Sequence, residues 1–95
     1  MTVSVIYVAY RTPVQMLQES IESVQLAAAR AQIDLEVLIA DNGGVEIYRD
    51  QLGDVMIVGT GENLGFGHAV NNATAAARGE HVLLMNPDLL IVLLC

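Results

Sequence analysis

The carboxylate of Asp88 stands at the tip of an apolar run, in HVLLMNPD, and its setting suggests chemistry more strongly than any other in the chain. Pro87 removes a backbone donor and biases Asn86 toward extended geometry as the run ends, which holds the carboxylate at the rim of whatever the run builds. A carboxylate so placed can coordinate Mg²⁺ or Mn²⁺ shared with a diphosphate, because such ions take one or two protein carboxylates together with substrate oxygens and water. Three other places carry polar groups of interest: Tyr10 at the end of VSVIYVAY, Asp41 in ADNGG, and Asn63 to Gly67 in NLGFG. Asp41 can accept from the polar edge of a base, or it can cap its own turn through an Asx hydrogen bond. The stretch GTGENLG spaces its glycines as G-x-G-x-x-x-G, unlike the dinucleotide fingerprint, and no Gly-Lys-Ser/Thr follows to make a Walker A loop. His68 and His81 lack a Cys, Asp or Glu at ligand spacing, which favours ordinary surface or core imidazoles over a metal site.

These groups need a scaffold that brings them together, and the chain reads as alternating strands and helices. Val3 to Tyr10 is β-branched and aromatic enough for a strand buried on both faces. Thr12, Pro13 and Gln15 then supply an N-cap, a first helical residue and a capping box. Val14, Leu17, Ile21, Val24, Ala28 and Ala31 recur at steps of three and four, which predicts one apolar face on a helix running to about Gln32. Leu35 to Ala40 reads as a second strand ending in the turn DNGG, and a weaker helical turn is expected near Val45 to Leu52. Val55 to Val58 reads as a third strand, GTGENLGFG as a loop, and Ala69 to Arg78 as an Ala-rich helix closed by Gly79. His81 to Met85 is the fourth strand. Strands alternating with helices imply a parallel sheet, and ligands of such sheets bind beyond the carboxyl ends of the strands. Tyr10, Asp41, the Asn63 loop and Asn86 to Asp88 all fall at those ends, so they should converge on one rim.

Composition narrows the ligand. The chain has 95 residues, 54% of them hydrophobic and 16% charged, which suits one folded α/β domain whose core is marginal in size. Its net charge of -7, with four basic residues, all arginine, excludes general attraction to nucleic acid or anionic lipid. An anionic ligand must therefore be held by backbone amides, a metal ion or very few cationic side chains. One cysteine excludes an internal disulfide and fits a reducing compartment. No signal-peptide pattern precedes the first strand, and no apolar run is long enough to span a bilayer, so the expected location is cytoplasmic.

The ordered set VIYVAYRTP, VLIADNGG, ENLGFGHAVNNA and GEHVLLMNPD resembles the amino-terminal half of family 2 glycosyltransferases, particularly rhamnosyltransferase-like members, over roughly residues 3 to 90. The resemblance implies the parallel, Rossmann-like nucleotide-binding half of a GT-A fold, with about four strands and flanking helices, occupying residues 1–95 as a single subdomain. It implies that Tyr10 lies against the nucleotide base, that Asp41 hydrogen-bonds the base, and that Asn63 and Gly65 lie near the nucleotide and donor sugar. Asn86-Pro87-Asp88 would stand for the Asp-x-Asp-type motif, making Asp88 the ligand of Mg²⁺ or Mn²⁺ and, through it, of the diphosphate of a dTDP- or UDP-linked sugar. The chain departs from the family pattern at Arg11-Thr12, where Asn-Arg is usual, at Gly44 in place of Ser, and at Val70 in place of Arg. The family's acceptor-binding half and general base lie beyond the resemblance, so the isolated chain is expected to be catalytically incomplete and its catalytic residues are not assigned. The alternative is a non-catalytic module that self-associates through an open sheet edge and the apolar Leu89 to Leu94.

Overall fold

The computed structural model describes residues 1–88. The apolar Leu89 to Leu94 and Cys95 lie outside the described residues, so the part of the self-association reading that rests on them is not addressed by the fold. Strand β1 (Thr2–Tyr10) is followed by helix α1 (Val14–Ala31) and strand β2 (Asp34–Gly43). Two short 3₁₀ turns, Val45–Ile47 and Arg49–Gln51, then lead to strand β3 (Met56–Val58), helix α2 (Phe66–Ala76) and strand β4 (His81–Met85). The four strands form one sheet in the order β3-β2-β1-β4, with every pair parallel. The winding therefore reverses between β1 and β4, because β1 to β3 progress toward one edge while β4 returns to the other side of β1.

That reversal places the two helices on opposite faces, as right-handed crossovers require. On one face Val5, Tyr7 and Ala9 of β1 and Val37 and Ile39 of β2 pack against Leu17, Ile21 and Val24 of α1. On the other, Ile6, Leu38 and Ala40 pack against Ala69 and Ala73 of α2, whose small side chains allow close approach. Alternate residues of β1 serve the two cores, which explains why its apolar run is nearly continuous. The α1 face also buries a polar residue: Ser20 hydrogen-bonds the fully buried Tyr7 hydroxyl at 2.8 Å. Burial keeps the Tyr7 phenol protonated by pushing its pKa upward, against a smaller opposing effect of the Ser20 bond.

Several boundaries differ from the sequence expectation for identifiable reasons. The capping box at Thr12 does not form: α1 begins at Val14, Pro13 occupies the N-cap with ψ 135°, and no side chain caps the end. Pro13 remains extended, so Thr12 is one residue too far back to reach the first-turn amides, and its carbonyl instead accepts the Tyr48 hydroxyl at 2.7 Å. At the other end of α1, Gln32 adopts a left-handed conformation and Ile33 N–H reaches the Ala28 carbonyl at 2.9 Å, closing the helix without glycine. Ala31, expected on the apolar face, is exposed.

β2 does not stop at Ala40 but runs through Asp41 and Asn42 to Gly43. Its pairing steps from Ala9 opposite Asp41 to Tyr10 opposite Gly43, so Asn42 is the extra residue of a bulge. α2 begins at Phe66, earlier than expected, because Gly65 with φ 87° turns the loop directly into the helix. It ends at Ala76 because Ala77 is extended, so Gly79 is not its cap. Strand β4 lies at the sheet edge beside β1, with Val82, Leu83 and Leu84 each more than 40% exposed.

Candidate functional site

The carboxyl ends of β1 and β4, the start of α1 and the loop before α2 border an open cleft of about 690 Å³. It sits at the reversal of winding, where the loops leaving β1 and β4 diverge to opposite faces and leave an opening. Tyr10, Arg11, Asn42, Asn63, Phe66 and Asp88 are among its lining residues. Tyr10 presents a half-exposed ring (48%), and the Arg11 guanidinium carbon lies 5.1 Å from that ring's centroid. Arg11 and Asp88 are the charged side chains of the lining among the described residues, one of each sign.

The bulge in β2 shapes the cleft's inner wall. Asn42 is 5% exposed, lines the cleft, and donates from its side-chain amide to the Gly65 carbonyl at 3.3 Å. The same carbonyl accepts the first helical bond of α2, from Ala69 N–H at 3.1 Å. Asn63 receives the Gly65 N–H on its side-chain oxygen at 3.1 Å, which folds the loop back on itself before the helix. Asn42 thus ties the end of β2 to the start of α2. Sequence reasoning did not single it out, because a bulge is legible only once the strand partner is known.

Asp41 sits one residue before the bulge and is 7% exposed. Its Oδ1 accepts the Gly43 N–H at 2.9 Å, so the turn-capping bond expected of an Asx residue is present. Its side chain belongs to a separate, very small pocket shared with Gly59, Thr60 and Leu64, on the β3 side of the same rim. The structure therefore brings Tyr10, Asn63 and Asp88 into one cleft, with Gly65 in its loop, and sets Asp41 beside it. Tyr48 approaches from the α1 face, its phenol pushed upward by burial and further by the Asp41 carboxylate.

The family is decided by one comparison. A family model described as glycosyl transferase family 2 matches residues 4–92 of the 95. The chain belongs to glycosyl transferase family 2. The match covers all of the four strands but the first two residues of β1, both helices and every lining residue of the cleft, and glycosyl transfer is the general activity of this family. Comparisons with curated proteins and with solved structures each return no match.

Family 2 glycosyl transferases generally use divalent metals, and the residues of the cleft fit one particular mode of binding such an ion. Asp88 is exposed and is the one carboxylate lining the cleft among the described residues. No group of three or more His, Cys, Asp or Glu able to hold an ion occurs among those residues, and His68 and His81 are exposed and separate. A cage made wholly of protein is therefore not available there, whereas an ion completed by diphosphate oxygens and water needs only one or two carboxylates. No helix among the described residues is long and apolar enough to cross a membrane.

Proposed function

We propose that the cleft at the ends of β1 and β4 binds the nucleoside diphosphate of a sugar donor, in the manner of the nucleotide-binding half of a GT-A glycosyltransferase. In this reading Tyr10 lies against the base, Asp41 accepts from the base's N–H, and Asn63 and Gly65 border the nucleotide and donor sugar. Asp88 holds Mg²⁺ or Mn²⁺ together with the diphosphate. The ion, when bound, neutralises charge on the diphosphate and stabilises it as a leaving group. The donor is dTDP- or UDP-linked, with rhamnose as the proposed sugar and a bacterial polysaccharide as the proposed acceptor of the transferase activity.

The observation that carries the reading is the meeting of Tyr10, Asn63 and Asp88 in one cleft at the reversal of sheet winding. An aromatic face, a glycine-bearing loop and a lone carboxylate are what a base, a sugar phosphate and a shared metal require at one place. Titration calorimetry with UDP and dTDP in the presence of Mn²⁺ tests it. Saturable binding supports the reading, and a folded sample that binds neither nucleotide contradicts it.

A second reading, self-association, is favoured by one observation: β4 exposes Val82, Leu83 and Leu84, and among the described residues it is an edge strand with no partner on its outer side. Sedimentation at high concentration distinguishes the two. A dimer abolished by Leu83→Lys supports association through this edge, and a monomer at all concentrations removes it.

A further inference from the structure

Arg11 has three properties that no structural need explains together. Among the described residues it is one of two other than glycine with positive φ, at 52°, a conformation that an ordinary side chain disfavours by roughly 1 kcal/mol. It is exposed, and among the described residues its guanidinium meets the Tyr10 ring and no carboxylate. It is also the sole cationic side chain lining the cleft among those residues, in a chain of net charge -7. Backbone strain held at the mouth of a cleft is a signal of function when the surrounding structure enforces it. Here the enforcement is visible: Arg11 N–H donates to the Gly43 carbonyl at 2.9 Å, just past the bulge, which fixes the residue where β1 leaves the sheet.

An acidic chain that binds a polyanion must supply local positive charge, and Asp88 alone makes the cleft more negative. We infer that Arg11 is the anion-binding residue of the cleft, pairing its guanidinium with a phosphate of the nucleoside diphosphate. The inference rests on the nucleotide reading above. The planar fork of arginine suits two phosphate oxygens at once, and its cation–π contact with the Tyr10 ring holds it ready at little entropic cost. Residue 11 thereby joins base recognition at Tyr10 to phosphate recognition. The start of α1, at Pro13 and Val14, adds the positive end of a helix dipole on the same side of the cleft.

The test compares wild type, Arg11→Gln and Arg11→Lys, each with Mn²⁺, titrated with UDP, with uridine and with inorganic pyrophosphate. Circular dichroism melting confirms that each variant is folded. Arg11→Gln is expected to weaken UDP and pyrophosphate binding about tenfold or more while leaving uridine binding unchanged, with Arg11→Lys in between. Equal weakening of uridine and UDP would overturn the inference, because Arg11 would then act only by supporting Tyr10. Unchanged UDP affinity in Arg11→Gln would overturn it as well. Wild-type binding of pyrophosphate without UDP, lost in Arg11→Gln, would sink the nucleotide reading and keep the anion site, whereas no binding of pyrophosphate or UDP would remove both.

Discussion

Gly79 lies against Ser4 so closely that a Cβ at residue 79 would stand 2.6 Å from both the Ser4 backbone nitrogen and its Oγ. The glycine is therefore required by the approach of two backbones, not by helix capping. Its N–H donates to Ser4 Oγ at 2.8 Å, and Ser4 in turn donates to Glu36 at 2.6 Å. The three residues fasten the entry to β4 onto β1 and β2, and so fix the far end of the strand that delivers Asp88. Gly79→Ala should lower stability by about 2 kcal/mol, since the obstructing atoms include main chain. A denaturant midpoint equal to that of wild type would contradict this close approach.

Glu36 makes the same junction sensitive to acid. Its carboxylate accepts the Arg78 N–H at 2.9 Å as well as the Ser4 hydroxyl, and these bonds hold its pKa below the ordinary value of 4.5, the Arg78 contribution being the larger. A depressed folded pKa means that the stabilisation is fully present above 4.5 and is lost as pH falls through the lower folded value. Melting temperature should drop on acidification below that point, and Glu36→Gln should flatten the drop. The side chain is partly exposed, so the effect is modest.

The buried Tyr7–Ser20 bond gives a stability test of the α1 face. Tyr7→Phe leaves the Ser20 hydroxyl without its partner in a buried site and should cost about 1–2 kcal/mol. The double variant Tyr7→Phe with Ser20→Ala should cost less than the sum of the single changes, as read from a double-mutant cycle. Strict additivity would show that the two hydroxyls do not interact.

Much of this arrangement was legible in the residues because strands and helices announce themselves through periodicity. The β-branched run of β1, the three-and-four spacing of α1 and the apolar HVLLM of β4 were read nearly to their observed limits. Asp-Asn-Gly-Gly misled in part, because its side chains favour turns while the backbone here stays extended through Gly43, pairs with β1 across a bulge and turns only at Gly44. Gly67 misled in the same way, suggesting loop where α2 has already begun at Phe66. The buried hydroxyls of Ser4 and Ser20 leave no mark in a hydrophobic pattern. Nor does an arginine in a sequence reveal that its backbone is left-handed, so nothing in the residue pattern marks Arg11 as a candidate.

Asp41 separates structure from recognition. Asp41→Asn keeps a side-chain oxygen for the Gly43 N–H and should leave the melting temperature nearly unchanged, whereas Asp41→Ala should cost about 1 kcal/mol. With one acceptor oxygen in place of two, Asp41→Asn should still weaken UDP binding. Full affinity in that variant would place the base elsewhere.

The proposed donor site depends above all on Asp88, just past the end of β4, joining a metal to a diphosphate. Calorimetric titration of wild type and Asp88→Ala with UDP and dTDP, with and without Mn²⁺, tests it most directly. Mn²⁺ should strengthen nucleotide binding by wild type and have no effect on Asp88→Ala. Metal dependence that survives in Asp88→Ala would contradict it and remove Asp88 from the site.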